Sequence, residues 1–444
     1  MARRAGMTRA VLRRVPVACA LLLLVGLWSA SARICTRHVH ELAQEVSTQV
    51  PALPLAYGDQ VELPARFEST IVYTSLDAPG AGEATERVAW DDSWFTADEA
   101  TYNHELAHAS SVLAALAYSE SGHYQARAAA PAYMENALLS LGFDAASTES
   151  YRFRSEVVDE VLNLITDDAD GVAYTIARKH LASGAEGGSS PRDLIMVSVR
   201  GSYGSEWLSN LDLSPSESDD HGGYARAAGE ICDDLDGWVA ESKMRGAEVS
   251  VLLTGHSRGG AVANLVAAQV DDLRAGQGED GATAMGGGRA LAGADRVYAY
   301  TFASPATTLS PRAHDRGYAN IFNIANPSDI MPYLPLAEWG YVRYGVDVPL
   351  PSIDDEGFGE DHARMRDAYE CSVGVACGAD PADKHVVEAV LSEISTDVRS
   401  VRELVTPWGA MRVFASAAAN VDPVRILYSH YPSTYIAWMR ALDA

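Results

Sequence analysis

The sequence predicts an α/β fold in which helices cover both faces of a mostly parallel sheet. Apolar runs of strand length alternate along the chain with segments that have a helical spacing of apolar residues. Parallel strands need such helical connections between them. The chain has 444 residues, of which 48% are hydrophobic, so it is long enough to bury one large α/β core with an insertion.

The core is expected at residues 101–335, with other segments before and after it. The expected elements are, in order, helices at 102–116 and 132–141, strands at 172–177 and 194–200, a helix at 224–242, a strand at 248–254 with the helix that follows it, and strands at 297–302 and 321–325. Residues 33–100 are expected to form an N-terminal segment that wraps around the core. Residues 336–425 interrupt the alternation and predict a helical insertion or a structural cap, before residues 426–444 return to the core.

Residues 1–32 have the organisation of a signal peptide. Five arginines precede an apolar run that ends in Ala30, Ser31 and Ala32, a pattern typical of a cleavage site. The run has about 16 apolar residues, whereas a membrane-spanning helix needs about 20. Cleavage and secretion are therefore expected, and an uncleaved anchor at the cell surface is the alternative.

Ser257 lies between a predicted strand and a predicted helix, in the sequence GHSRG at 255–259. A tight strand-to-helix turn pushes the serine hydroxyl out of the fold, and only glycine tolerates the backbone crowding beside it. The following helix directs its first N–H groups at an oxyanion formed there. The pattern predicts a nucleophile elbow, and a chance Gly-Ser turn is the alternative.

A serine nucleophile needs a base, and the base needs an acid that orients it. Asp329 follows the strand at 321–325 directly, so it is the candidate acid, with an Asx-turn residue as the alternative. His430 is the candidate base, because it follows a short apolar run fit to end on the sheet and precedes a loop. His385 is interpreted as a helix-start residue of the insertion, and His362 lies in an acidic stretch where a solvated side chain is expected.

Several further motifs occur in order along the chain. They are Arg200-Gly201-Ser202, Trp207 with Asn210-Leu211, His221-Gly222-Gly223-Tyr224, Thr254-Gly255-His256-Ser257, Tyr300-Thr301-Phe302-Ala303-Ser304-Pro305, Asn326 to Pro335, and Ser429-His430-Tyr431. In these motifs and their order the sequence resembles the fungal-type, class 3 lipase family of α/β-hydrolases, over about residues 95–350 and at its C-terminal end. The resemblance implies an α/β-hydrolase fold and hydrolysis of carboxylic esters, lipids above all.

The resemblance also implies roles for individual residues. Ser257 is the nucleophile, His430 the base and Asp329 the acid, while Ser202 and the N–H of Arg258 form the oxyanion hole. No cofactor is required for this chemistry. Arg258 stands where the family usually has leucine, and the interval between Asp329 and His430 is longer than usual, so the resemblance leaves the acyl substrate open.

Two segments have alternative interpretations. These lipases carry a lid at the position of residues 203–220, where apolar side chains such as Trp207 and Leu211 would face either an oil surface or the core. Cys371 and Cys377 would form a small disulfide in an exported protein or remain as free, buried thiols.

A second catalytic motif competes with the first. The sequence His104-Glu105-Leu106-Ala107-His108 matches HExxH, in which two histidines one helical turn apart bind zinc and the glutamate acts as a base. The metzincin continuation is missing, and a third ligand would have to come from elsewhere, from a residue such as Glu156 or Glu160. A zinc metalloprotease and a non-catalytic binding protein on a hydrolase scaffold are the alternatives to an ester hydrolase.

The formal net charge of −26 narrows the choice of partners. Such an acidic surface repels nucleic acid and anionic membranes. The expected partner is a lipid or small ester substrate, with transient contact to a lipid interface. The sequence leaves the oligomeric state open.

Overall fold

A computed structural model describes the protein at residues 63–76, 82–125, 132–147, 173–181, 190–201, 220, 222–276, 291, 293–397 and 423–443. Contacts divide the chain into two compact units, and all the described residues belong to the unit formed by Val50–Tyr151 and Asp170–Ala444. The predicted signal peptide at 1–32 lies outside the described residues.

Two strands that precede the central sheet form a hairpin of their own. Strand β1 (Arg66–Thr74) pairs antiparallel with β2 (Glu83–Asp91). Burial alternates along both strands, so one face of the hairpin packs Ile71, Tyr73 and Trp90 into the larger apolar core of the protein. The hairpin lies within residues 33–100, for which an N-terminal wrap is predicted.

A seven-stranded sheet lies at the centre, and its strands lie side by side in chain order. The first two pairings are antiparallel and the next four are parallel, so the prediction of a mostly parallel sheet is confirmed. The strands are β3 (Ala145–Ser147), β4 (Tyr174–His180), β5 (Arg192–Val199), β6 (Glu248–His256), β7 (Arg296–Phe302), β8 (Ile321–Ala325) and β9 (Val346–Pro349).

The central strands direct successive side chains into two different apolar cores. In β5, Leu194 and Met196 belong to one core and Ile195 to the other; in β6, Leu252 and Val251 divide in the same way. Strands buried on both faces are apolar without interruption. This continuity is the reason why their positions could be predicted from the sequence.

Helices cover both faces of the sheet, as predicted. They are α1 (His104–Gln125), α2 (Tyr133–Ser140), α3 (Gly222–Met244), α4 (Arg258–Arg274), α5 (Phe358–Val373), α6 (Asp383–Asp397), α7 (Pro423–His430) and α8 (Pro432–Leu442), with short 3-10 helices at Asp92–Thr96, Arg316–Tyr318, Met331–Tyr333 and Ala337–Trp339. Helices α1, α2, α5 and α8 pack into the first core, and α3 and α4 into the second. Within the described ranges no helix is both long and apolar enough to cross a membrane.

The segment predicted as an insertion, 336–425, also contributes a strand to the sheet. Strand β9 pairs in parallel with β8 at the sheet edge. It was not expected, because its sequence VDVP has mostly exposed residues and no apolar run. The same segment holds α5 and α6, and α6 packs Val387, Val390 and Ile394 into a small third core with residues that follow Asp329.

Candidate active site

Ser257 lies on the turn between β6 and α4, where the GHSRG sequence predicts it. Its φ of 57° and ψ of −130° belong to a sparsely populated region of backbone conformation, and such strain is concentrated at functional turns. The Ser257 N–H donates to the carbonyl of Phe302 at 2.9 Å. The turn is therefore fixed to the neighbouring strand β7.

Close backbone contacts explain the two glycines of the motif. A Cβ atom at Gly255 would lie 2.3 Å from the carbonyl oxygen of Gly259, and one at Gly259 would lie 2.2 Å from the carbonyl oxygen of Val199. Neither position has room for a side chain, since the atoms in the way belong to the backbone. The glycines thus allow α4 to begin directly against the end of β5.

The structure brings the three predicted residues of the site together. His430 Nε2 lies 3.0 Å from the Ser257 hydroxyl oxygen, and His430 Nδ1 lies 2.8 Å from Asp329 Oδ2. All three side chains are buried. An imidazole within hydrogen-bonding distance of a serine on one side and of a carboxylate on the other can accept the hydroxyl proton while the carboxylate stabilises the resulting cation.

The carboxylate of Asp329 is fully buried and has two further hydrogen-bond donors. The Tyr435 hydroxyl donates to Oδ2 at 2.8 Å, and the N–H of Met331 donates to Oδ1 at 2.9 Å. Burial and the charge of Asp329 raise the pKa of the Tyr435 phenol, so the hydroxyl keeps its proton and donates. Sequence reasoning missed Tyr435, because no motif marks a residue that only tertiary packing brings beside the acid.

His430 is the last residue of helix α7 and does not lie on a loop after a strand. The prediction that the apolar run at 424–427 ends on the sheet is wrong, because this run belongs to α7. Apolar runs of this length do not distinguish a strand from a helix. Helix α8 begins at Pro432 after the single residue Tyr431, so the imidazole is presented at the junction of two helices.

One of the two predicted oxyanion donors lies within the described residues. Arg258 is the first residue of α4, where the helix dipole favours negative charge. Ser202 lies outside the described ranges, but Gly201 before it is described. A Cβ atom at Gly201 would lie 3.1 Å from Ser257 Cβ and 2.1 Å from the Tyr118 hydroxyl oxygen, so the chain passes beside the serine immediately before Ser202.

The two other candidate histidines lie in the helices of the insertion. His385 is exposed near the start of α6, in agreement with its interpretation as a helix-start residue. The expectation of a solvated His362 is wrong. Its ring stacks on Phe358 at a centroid distance of 5.3 Å and lies near Trp438, because α5 packs against α8, and this burial lowers the pKa of His362.

The HExxH sequence begins α1, and both of its histidines are engaged within the protein. His104 Nε2 lies 2.8 Å from the Met439 carbonyl oxygen, and its Nδ1 lies 3.2 Å from the Tyr102 hydroxyl. His108 is buried, which lowers its pKa to about 4. In the part of the chain that the structure describes, no group of three histidine, cysteine, aspartate or glutamate side chains could hold a metal ion; Glu156 and Glu160 lie outside that part.

The structure also bears on the cysteines and the predicted lid. No disulfide joins Cys371 to Cys377, and the Cys371 thiol is exposed rather than buried, so neither expectation describes it. Residues 203–219 of the predicted lid lie outside the described ranges. Asp220, the last residue of that segment, accepts a hydrogen bond from the Tyr344 hydroxyl at 3.1 Å.

The α/β sheet and a serine on a strand-to-helix turn are features of the α/β-hydrolases. Residues 196–339 match the family model described as Lipase (class 3), a range that contains Ser257 and Asp329 but not His430. The match confirms the predicted resemblance to the class 3 lipases. For this segment it agrees with the predicted class of enzyme, a lipase-type hydrolase of carboxylic esters.

Solved structures of fungal lipases are similar to this chain at low sequence identity. The native propeptide complex of Rhizomucor miehei lipase is 20% identical over 68% of this chain and 86% of that chain, with a TM-score of 0.36. The lipase of Rhizopus microsporus var. chinensis is 21% identical over 42% of this chain and 58% of that chain, with a TM-score of 0.29. A triacylglycerol lipase with a serine protease triad at its catalytic centre is 22% identical over 41% and 63%, with a TM-score of 0.30. The chain therefore spans less than two thirds of the length of the last two.

Proposed function

We propose that this protein is a secreted hydrolase of carboxylic esters, lipids among them, and that Ser257, His430 and Asp329 are its catalytic triad. The observation that carries the proposal is the pair of contacts made by His430, at 3.0 Å to the Ser257 hydroxyl and at 2.8 Å to the Asp329 carboxylate. The class 3 lipase match over residues 196–339 supports ester chemistry. Secretion rests on the signal-like sequence of residues 1–32.

In the acylation step, His430 Nε2 removes the hydroxyl proton as Ser257 attacks the ester carbonyl carbon. The carbonyl oxygen becomes an oxyanion, and His430 becomes an imidazolium that the Asp329 carboxylate stabilises. His430 then returns the proton to the departing alcohol as the ester bond breaks. The product of this step is an acyl group bound to Ser257.

In the deacylation step, a water molecule replaces the alcohol. His430 takes one of its protons, the hydroxide attacks the acyl carbonyl, and the acid product leaves as Ser257 regains its proton. The N–H of Arg258 and Ser202 would stabilise the oxyanion in both steps. Each such donor contributes about 3 kcal/mol in serine hydrolases.

The segments around the triad have separate roles in this proposal. Residues 101–335 form the hydrolase core, and residues 426–444 return to it with the base. Residues 336–425 hold an insertion whose helix α6 packs on the chain that follows the acid. Through this contact the insertion would support the position of Asp329.

Covalent labelling tests the proposed nucleophile. The full-length protein should hydrolyse p-nitrophenyl esters and react with a fluorophosphonate at Ser257, and Ser257→Ala should lose both properties. Ser250→Ala is the matched control, because Ser250 is a buried serine on β6, the strand that leads to Ser257, and its hydroxyl donates to the Phe95 carbonyl. Labelling at another serine, or ester hydrolysis that survives in Ser257→Ala, would contradict the proposal.

Substrate preference and the zinc alternative are tested on the same preparation. Rates on p-nitrophenyl esters of increasing chain length, with and without an oil interface, measure whether lipids are preferred over small esters. Chelation should leave these rates unchanged. Stoichiometric zinc that is lost on His104→Ala would instead support the metalloprotease.

A further inference from the structure

We propose that His256 and Tyr118 are positioning residues that hold the backbone of His430 and so keep its imidazole on Ser257. This inference rests on the proposed function, since it assigns work to two residues that act through the base. His256 belongs to the GHSRG sequence, but the motif itself gives it no role. Tyr118 lies on α1, far from it in sequence.

The end of helix α7 explains why the base needs support. The last carbonyl groups of a helix have no partners inside the helix and must find them elsewhere. The His430 carbonyl oxygen lies 2.7 Å from His256 Nε2, and the carbonyl oxygen of Ser429 accepts from the Asn326 side chain at 2.9 Å. The backbone that carries the base is thus fastened by a neighbour of the nucleophile and by a residue of the loop that carries the acid.

The hydrogen bonds of His256 define its tautomer. A carbonyl oxygen can only accept, so Nε2 carries the hydrogen, and a neutral ring then leaves Nδ1 as an acceptor. The Tyr118 hydroxyl lies 3.0 Å from Nδ1 and can donate to it. Burial and the nearby His430 keep the pKa of His256 far below its ordinary value, so the ring remains neutral and keeps this orientation.

The rings of His256 and His430 lie close together, so the charge on His256 affects the protonation of His430. The ring centroids of His256 and His430 are 4.8 Å apart, and the Tyr435 ring lies 5.6 Å from His256 on another side. A charged His256 would repel the imidazolium that His430 becomes during the reaction. A neutral ring holds the base without opposing its protonation.

Tyr118 also connects His256 to the chain beside the predicted oxyanion hole. Its hydroxyl also lies 3.4 Å from the His256 carbonyl oxygen, and it occupies the space beside Gly201, where a Cβ atom would come within 2.1 Å of it. Gly201 directly precedes the predicted oxyanion residue Ser202. One hydroxyl therefore lies beside the imidazole and the carbonyl of His256 and beside Gly201, two residues after the end of β5.

Substitutions at His256 separate positioning from a merely structural role. In His256→Leu the His430 carbonyl loses its donor, and we expect kcat to fall about 100-fold with little change in KM, as for other small misplacements of catalytic groups. His256→Gln can keep an N–H near the position of Nε2, so we expect it to recover kcat to within about tenfold of the wild type. Tyr118→Phe should lower kcat about tenfold, because the ring loses the bond that fixes its tautomer.

Two substitutions of the same kind, distant from the site, are the controls. His108→Leu removes another buried histidine, and Tyr300→Phe removes another buried hydroxyl, which accepts from the Asn103 N–H at 3.1 Å. Both should keep kcat within about twofold of the wild type, since neither residue touches the triad. Thermal unfolding of all variants shows how much stability each loses.

Fluorophosphonate labelling of the wild type separates the two proposals. If Ser257 of the wild type is not labelled, the proposed function fails; if it is labelled and His256→Leu is labelled at the same rate, the positioning role fails. Equal loss of kcat in His256→Gln and His256→Leu would also overturn it. If His256→Leu does not fold, a kcat for Tyr118→Phe equal to that of Tyr300→Phe has the same meaning.

Discussion

Tyr435 is the residue by which the C-terminal helix contacts the acid of the site. Its hydroxyl donates to Asp329 Oδ2 at 2.8 Å and accepts from the Asn326 N–H at 3.1 Å. Both partners are buried, so the bond is made where water cannot replace it. The phenol therefore orients the carboxylate through Oδ2, the same oxygen that faces His430 Nδ1.

We expect Tyr435→Phe to lower kcat by about tenfold to 100-fold, since a hydrogen bond to a charged group contributes about 1.5–3 kcal/mol. The ring packing is retained, so KM should change little. Steady-state kinetics on a soluble ester measure the effect. Tyr298→Phe is the control, because that buried hydroxyl donates to the Ala97 carbonyl away from the site; an equal loss of kcat in both variants would contradict the prediction.

His108 predicts how stability depends on pH. Burial, together with His104 and Arg440, lowers its pKa to about 4, and the carboxylates of Glu86 and Asp443 at 3.7 and 3.8 Å do not reverse this. A depressed pKa means that the neutral ring stabilises the fold above pH 6.5 and that this contribution is lost as the pH falls towards 4. The contribution reaches about 3 kcal/mol.

We therefore expect His108→Gln to make the free energy of unfolding less dependent on pH. Urea unfolding at pH 7.5 and at pH 4.5 measures the dependence for the wild type and the variant. The wild type should lose more stability between these two values, because its unfolded state exposes the His108 imidazole, which takes up a proton there that the folded state does not bind. Equal losses would show that His108 does not contribute in this way.

Among the elements, the junction of β6 with α4 leaves no room for a side chain at Gly259. Gly259→Ala would set a Cβ atom 2.2 Å from the Val199 carbonyl oxygen, and only a backbone shift could relieve that contact. We expect the free energy of unfolding to fall by about 1–3 kcal/mol or more, as at other overpacked sites. Esterase activity should be abolished, because the shift would move the turn that carries Ser257.

The matched control for this substitution is Gly237→Ala in helix α3. A Cβ atom at Gly237 would meet no atom within 4 Å, so alanine should stabilise the helix by about 0.5–1 kcal/mol. Circular dichroism and chemical unfolding of the two variants measure the contrast. Similar stabilities for both would show that the junction is more adaptable than its contacts indicate.

The sequence predicted the buried strands well and the edges of the fold less well. Strand β8 begins and ends at the predicted residues, Ile321 and Ala325, because both of its faces are buried and its apolar run is bounded by a turn. Strand β9 lies at the sheet edge, where exposed residues leave no apolar pattern to find. Helix α7 was mistaken for a strand, since eight residues are too few for their period to be read.

For the site, the sequence indicated the chemical groups but not their supports. Ser257 and Asp329 follow strands directly, so their position at one edge of the sheet follows from chain order. The contacts of His256, Tyr118 and Tyr435 depend on how α1 and α8 pack on the sheet. No local pattern encodes such contacts between distant segments, and a histidine inside a serine motif gives no hint that it bonds to the base.

For the whole molecule, the net charge of −26 predicts which lipid surfaces it approaches. We expect slower hydrolysis of an ester carried in vesicles with anionic phospholipid than in vesicles of zwitterionic phospholipid at low salt, because like charges repel. The difference should shrink in 0.5 M salt, since screening acts over about 10 Å at 0.1 M and over less at higher ionic strength. A soluble ester should show no such dependence; faster hydrolysis in the anionic vesicles would contradict the prediction.

Ser257 and His430, the proposed nucleophile and base, are 173 residues apart in the chain. Their order in the sequence determines when the site is complete during synthesis. The ribosome completes the elbow of Ser257 long before it adds helices α7 and α8. Until those helices dock, Ser257 has no imidazole of His430 beside it, and the family-matched segment at 196–339 holds only two of the three residues of the proposed triad. In the proposed mechanism, ester hydrolysis therefore begins only after α7 and α8 have docked and brought His430 beside Ser257.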